Sequence, residues 1–317
     1  MGLSLAYYVH DLNPFVIRFT EAWGVRWYGL AYLAAFLVAY WLYKVLVRRG
    51  FSDLRPDQVG DFIFGTALFG VVLGGRLGYM LFYNVNSFLA DPLIFFRFHE
   101  GGMSAHGGIL GVALYALWFS RRHGVSWLNL GDNLVVVAPI GLFFGRLANF
   151  INGELYGRVA SVAWAVQFPK ELYDAPPEMR ALALREAVAL NPEWNTVEAV
   201  VEASRTSPEL QAQLAFTLSP RHPSQIYEAV LEGALLFVVL WLLRTRLKLR
   251  NGILTGAFFV GYAILRSFCE LLREPDSPLV GVLTRGQFLS LGIAAVGVAF
   301  WIFAATQNRR PASKNSP

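Results

Sequence analysis

The sequence predicts an all-α integral membrane protein of about seven transmembrane helices with a small outward-facing cap. Three observations carry that expectation. Hydrophobic residues make up 55% of the chain and charged residues only 15%, against roughly 45–50% and about 25% in soluble chains. Seven stretches approach the about 20 mostly apolar residues that a bilayer core requires of a helix. Lysines and arginines gather in four short segments that seven spans would place on one side. The mean hydropathy of +0.44 and the 15% aromatic content agree, since Trp and Tyr collect at membrane interfaces. With a formal net charge of +5, the basic residues are read for topology and lipid headgroups, not for nucleic acid.

Residues 1–25 are expected to form an arm along the outer interface. No signal peptide is expected, because Asp11, Asn13 and Pro14 stand where an apolar core would run. Ala6 replaces the Ser or Thr of a myristoylation motif. Residues 26–151 hold four spans, near 26–47, 59–84, 106–120 and 130–151; the third is short and starts at a Gly-rich segment. Residues 152–223 are the soluble cap. There Val162 to Phe168 alternate as a strand, and 177–190 read as a helix opened by Pro177. Asn195 and Glu198 form a capping pair before another helix, and Ser207-Pro208 start a third. Residues 224–306 hold spans near 224–245, 252–271 and 286–306. The polar tail, 307–317, is expected to be disordered. No repeat is visible, which disfavours repeat-built transporter folds. The single cysteine, Cys269, allows no disulfide within the chain and reads as a small buried apolar residue.

The basic clusters are Lys44, Arg48, Arg49 and Arg55; Arg121 and Arg122; Arg244, Arg246, Lys248 and Arg250; and Arg309, Arg310 and Lys314. By the positive-inside rule their side is cytoplasmic, so the N-terminus is outside and the C-terminus inside. Ionisable residues within spans are costly and usually functional. Here they are Arg76, Arg146, Arg266 and Glu270, with Arg26, Tyr28 and His106 opening spans. On this topology all fall towards the outer ends. The bland alternative is that these arginines snorkel to headgroups or make structural ion pairs.

Four segments concentrate polar chemistry. Residues 145–157 read GRLANFINGELYG; Arg146, Asn149 and Gly153 share a helix face by spacing, and a guanidinium offers forked donors to phosphate. Residues 99–111 read HEGGMSAHGGILG. Ser104 is a candidate cap, and His106 is a candidate proton acceptor near neutral pH, whereas His99 has no such support. Residues 221–228 read RHPSQIYE, and 266–276 read RSFCELLREPD. In the latter Arg266, Glu270 and Arg273 stack along one helix side, either as an ion-pair network or in direct binding. No metal is expected, since there is no His-x-x-x-His pair and the acids are few and accompanied by arginines. No nucleotide fingerprint is present.

These blocks, together with Arg26-Trp27-Tyr28-Gly29 and Gly75-Arg76-Leu77-Gly78-Tyr79, resemble prolipoprotein diacylglyceryl transferases in order and spacing from about residue 25 to 290. Residues 169–220 depart by being longer and more helical. The resemblance implies a bacterial inner-membrane enzyme without cofactor. It would move the diacylglyceryl group of phosphatidylglycerol to the lipobox cysteine of a preprolipoprotein and release glycerol phosphate. It further implies that Arg146 and Arg266 bind phosphate and stabilise the leaving group, and that His106 is the base, with Glu154 as its competitor. Tyr28, Asn149, Glu154 and Gly157 would shape the pocket, and Arg76, Arg273 and Glu270 would support binding. Two other classes are a transporter of an anionic lipid, which needs an ionisable path through the inner half, and a non-catalytic lipid binder, which has no need of His106.

Overall fold

The computed structural model describes residues 7–20, 23–98, 101–275, 279 and 281–307. Residues 1–6 of the expected arm, His99, Asp276, and the tail with Arg309, Arg310 and Lys314 lie outside the described residues.

Every stretch expected to span is helical. The helices are α1 (Trp27–Arg48), α2 (Val59–Tyr83), α4 (Ala105–His123), α5 (Trp127–Asn152), α9 (Ser224–Arg246), α10 (Ile253–Cys269) and α11 (Arg285–Gln307). A short helix α3 (Val85–Ala90) follows α2. Five of these, α1, α2, α5, α9 and α11, are long and apolar enough to cross a membrane; α10 is apolar but has 17 residues. Only 17% to 44% of the residues in the most apolar stretches of the five are buried within the protein. Side chains such as Trp41, Phe64 and Ile302 point outward, which in water would be an aggregation hazard and in hydrocarbon is the favoured arrangement.

The chain divides into two compact units. The first comprises Met1–Ala34, Gly141–Leu236 and Gly261–Ala294; the second comprises Ala35–Ile140, Phe237–Val260 and Ala295–Pro317.

In the first unit, strands β1 (Tyr8–Val9), β4 (Val166–Gln167) and β5 (Pro220–Arg221) form a sheet in the order β1-β4-β5, parallel then antiparallel. Strands β2 (Phe15–Arg18) and β3 (Gly24–Arg26) pair as a bulged antiparallel ribbon. The strand expected over 162–168 shrinks to Val166–Gln167, because only these two residues find partners on both sides. Helix α6 (Pro177–Leu190) starts at Pro177 as expected. Helix α7 (Val197–Ala203) is capped by Thr196, not Asn195: the Thr196 hydroxyl accepts from the Ala199 amide at 3.1 Å. Asn195 is displaced from that role because a turn closed by Trp194 N–H on Asn191 O ends just before it, and the extended backbone needed for a cap falls on Thr196. Ser207 caps α8 (Pro208–Thr217) through the Leu210 amide at 3.2 Å. A small apolar core of Val9, Leu172, Ala183, Ala187, Val200, Leu210 and Leu214 joins these helices to β1.

In the second unit α2 and α4 meet through glycines. Gly70, Gly74 and Gly78 on α2 recur every four residues, as do Gly107 and Gly111 on α4. A Cβ built on Gly107 would stand 2.7 Å from the Gly78 Cα, and one on Gly111 would stand 3.0 Å from the Gly74 Cα. The backbones thus approach more closely than any side chain permits, as small-residue repeats allow in membranes. Within α2, Thr66–Gly74 is π-helical, and its wider turn coincides with this contact.

A second device in this unit is Asp132, fully buried on α5. It accepts from the Gly252 amide, the Thr255 amide and the Thr255 hydroxyl, each at 2.8 Å, and so caps the start of α10 from another helix. Beside it the Phe51 carbonyl receives Asn129 Nδ2, Asn133 Nδ2 and Arg244 Nη2, while Arg244 Nε donates to Asn133 Oδ1 at 3.1 Å. Arg244, read from sequence as a topology marker, is therefore a buried structural residue.

Candidate active site

The polar centre of the first unit is built on the last turns of α5, the first turns of α9 and the end of α10. Arg146 comes from α5, Glu228 and Glu232 from α9, and Arg266 from α10, followed by Glu270 and Arg273 just beyond its end. The Arg146 Nε lies 3.2 Å from Glu228 Oε2, and its Nη2 donates to Glu232 Oε2 at 3.3 Å. Arg266 Nη1 donates to Glu228 Oε1 and its Nη2 to Glu270 Oε1. Arg273 Nη1 donates to Glu228 at 3.1 and 3.3 Å. Thr284 completes the set by donating its hydroxyl to Glu270 Oε2 at 2.7 Å.

Pairing explains how apolar helices tolerate these charges, since stripping one partner from a buried ion pair costs about 3–5 kcal/mol. Exposure within the cluster is uneven. The Glu228 and Glu232 side chains are 0% exposed, whereas those of Arg146 and Arg266 retain 17% and 13%. The accessible edge is therefore cationic, backed by carboxylates that hold each guanidinium in a fixed plane. Such an edge can receive phosphate oxygens through charge-assisted hydrogen bonds.

A second polar group adjoins the end of α5. Asn149 Nδ2 donates to Glu154 Oε1 at 2.9 Å and reaches the Tyr28 hydroxyl at 3.5 Å, while Asn152 Nδ2 lies 3.3 Å from the same Glu154 oxygen. Tyr28, Asn149 and Glu154, singled out separately in the sequence, are thus brought together. Gly153 does not continue the helix face of Arg146 and Asn149. It takes φ +64°, donating its N–H to Phe150 O, while Glu154 N–H returns to Asn149 O. This is the αL ending with 6→1 and 5→2 hydrogen bonds, and it turns Glu154 back onto the helix it follows. Gly157 lies where three chain segments cross: its N–H donates to His222 O at 2.9 Å, and a Cβ there would stand 2.7 Å from the His222 side chain. It also bridges Arg273. Arg273 therefore lies past the helical stack expected with Arg266 and Glu270, and reaches Glu228 from an extended segment.

Arg76 and His106 belong to the second unit. Arg76 is 1% exposed, and all five of its N–H donors meet backbone carbonyls: Nε on Phe95, Nη1 on Gly101 and Gly102, Nη2 on Ile94 and Arg97. Its guanidinium closes the segment after α3 and offers no free fork. His106 stands exposed in the first turn of α4 and makes no hydrogen bond among the described residues. Ser104 caps that turn by accepting from the Gly107 amide at 3.2 Å, as expected. Gly107 faces α2.

In the sequence Glu228 stood out only as the end of the polar segment 221–228, and Glu232 was passed over. The signal was present: two acids four residues apart inside an apolar run, on one helix face.

Apolar helices carrying a buried cluster of ionisable side chains define a polytopic helical membrane protein with an internal polar site. The sequence model of the family described as prolipoprotein diacylglyceryl transferase matches residues 14–303, and the chain belongs to that family. It is similar to proteins named phosphatidylglycerol--prolipoprotein diacylglyceryl transferase. The one from Xylella fastidiosa (strain M12) is 40% identical over 304 residues, 93% of this chain and 94% of the relative. The one from Xanthomonas campestris pv. campestris (strain B100) is 38% identical over 314 residues, 96% and 94%. The one from Gluconacetobacter diazotrophicus is 41% identical over 295 residues, 90% and 89%.

Proposed function

We propose that the chain transfers the diacylglyceryl group of phosphatidylglycerol to the lipobox cysteine thiol of a preprolipoprotein. The carrying observation is the cationic edge of Arg146 and Arg266 over buried carboxylates, a form that suits a phosphodiester on an apolar protein. Family membership and the names of the relatives support the same reading.

In the step, the substrate thiolate sulfur bonds to the glyceryl carbon, the bond from that carbon to the phosphate oxygen breaks, and the electron pair stays on that oxygen. Glycerol phosphate leaves. Arg146 and Arg266 bind the phosphate and stabilise the charge that grows on it. Glu270 and Arg273 hold this pair in position through Arg266 and Glu228. Asn149 and Tyr28 orient Glu154, and Gly157 keeps the crossing that supports them. Arg76 shapes the segment it closes. The thiol proton goes to His106 or Glu154. In this reading α4 and α10 cross the bacterial inner membrane together with the five long helices, with residues 152–223 and the N-terminus outside and the C-terminus in the cytoplasm. The signal helix of the acceptor lies in the same bilayer, so both substrates arrive from the lipid.

The test is release of glycerol phosphate from phosphatidylglycerol vesicles, with and without a lipobox peptide. Release that depends on the peptide thiol is expected. Movement of lipid between leaflets without release would point to a transporter, and binding alone to a non-catalytic protein.

A further inference from the structure

The arginine–glutamate cluster poses an electrostatic question for the phosphate-binding role of Arg146, on which the following inference rests. Three guanidinium groups face three carboxylates, so an arriving phosphate meets cations whose charge is already largely offset from behind. The three carboxylates are not held alike. Glu228 takes part in ion pairs with Arg146, Arg266 and Arg273. Glu270 uses both oxygens, one on Arg266 and one on the Thr284 hydroxyl. Glu232 is different. Its Oε2 accepts from Arg146 Nη2 at 3.3 Å, but its Oε1 is buried and accepts no hydrogen bond, with Arg266 Nη1 at 3.6 Å as its nearest ion-pair partner. A buried oxygen without a donor carries a desolvation cost that the ion pairs with Arg146 and Arg266 offset only in part. Glu232 is therefore the carboxylate whose charge the cluster cancels least, and it stands directly behind the Arg146 guanidinium proposed to receive phosphate.

The charges of substrate and product then matter. Phosphatidylglycerol is a phosphodiester with one negative charge. Glycerol phosphate is a monoester with close to two at neutral pH, because its second pKa is about 6. A fixed carboxylate beside the fork repels the product about twice as strongly as the substrate.

We propose that Glu232 is a positioning residue that holds the Arg146 guanidinium from behind its accessible edge and, by repulsion through that arginine, sets the release of glycerol phosphate after transfer. The single charge of the bound lipid meets this repulsion once. Cleavage doubles the charge opposite the carboxylate, and the product is pushed out.

The test compares wild type and Glu232→Gln in nanodiscs containing phosphatidylglycerol, with a lipobox peptide as acceptor and glycerol phosphate as added inhibitor. In the variant the KM for phosphatidylglycerol falls about tenfold and inhibition by glycerol phosphate strengthens about a hundredfold, following the twofold difference in charge. At the same time kcat falls, because release slows. A residue that only supported the fold would raise KM and leave the inhibition unchanged, and that result in a folded variant overturns the inference. Should Glu232→Gln not fold, Glu232→Asp keeps the charge but withdraws it by one methylene. The same shifts in smaller size are expected there, and a raised KM overturns the inference. Wild-type transfer with unaltered constants in the variants overturns this inference alone. Absence of transfer by the wild type overturns the reading it rests on.

Discussion

Arg146 makes two different contacts with two carboxylates, one through Nε and one through Nη2, and only a planar guanidinium can make both while presenting an edge. Arg146→Lys retains charge but not that geometry. A loss of about a hundredfold or more in transfer is expected, with the protein still eluting as a single species. His106 and Glu154 are separated by pH. A thiol with a pKa of about 8.5 is mostly protonated at neutral pH. If His106 is the base, His106→Gln lowers the rate strongly at pH 7 and alkali restores much of it, while Glu154→Gln is not rescued. The reverse pattern in pH–rate profiles assigns the proton to Glu154. Another histidine gives a stability prediction. His10 is buried against Phe150, its Nε2 2.7 Å from that carbonyl, and burial pushes its pKa down to about 4 from 6.5. The unfolded chain therefore binds the extra proton between those values, and the folded one does not. Stability from neutral His10 is fully present above pH about 6.5 and declines as pH falls towards about 4, by up to about 3 kcal/mol. His10→Gln keeps a donor for Phe150 but gains no proton, so its melting temperature should fall less than that of the wild type between pH 7 and 5. At this scale Arg146, Arg266 and Glu270 were legible because charge in an apolar run announces itself. The partners of Arg76 were not, since backbone carbonyls leave no mark in sequence.

Helices were legible where composition and caps agree. Pro177, Ser104 and Ser207 each mark a helix start that the structure keeps. Of the two-residue strands only β4 was legible, within the expected 162–168; β1 and β5 were not, because their existence depends on chain segments as much as 158 residues apart meeting in one sheet, as Tyr8 and Val166 do. The glycine repeat of α2 and α4 lies between these cases. Its spacing is written in the sequence, yet its meaning needs the partner helix. Adding a side chain at Gly111, where a Cβ would meet the Gly74 Cα at 3.0 Å, forces the two helices apart. Gly111→Val is expected to destabilise by about 1–3 kcal/mol, read as a lower melting temperature in detergent. Gly29, with open space around its Cβ, should accept alanine with little change.

For the whole molecule, the positions of the basic clusters predict which loops face which side. Cysteine labelling in a Cys269→Ala background checks it: Ser87→Cys and Asn195→Cys should react from outside, and Arg49→Cys and Arg122→Cys from inside. All four sites are exposed. Ser204, in the same 152–223 segment as Asn195, is fully buried and would report nothing. Labelling of all four from one side overturns the arrangement. The long helices were legible because each needs only its own residues to declare it, although five, not seven, are long and apolar enough to cross a membrane among the described residues; the packing of residues 152–223 needed contacts across the chain. Asp132 shows what such distance means for a growing polypeptide. The donors that satisfy it lie 120 and 123 residues further along. While the ribosome is still making residues 152–223, α5 already carries an acid with nothing to bind, and the Phe51 carbonyl still lacks Arg244. A nascent chain at that stage holds a polar, unsealed surface that membrane quality control can recognise, and synthesis past residue 255 removes it. Chains stopped at residue 223 should accordingly be degraded faster than chains stopped after α10.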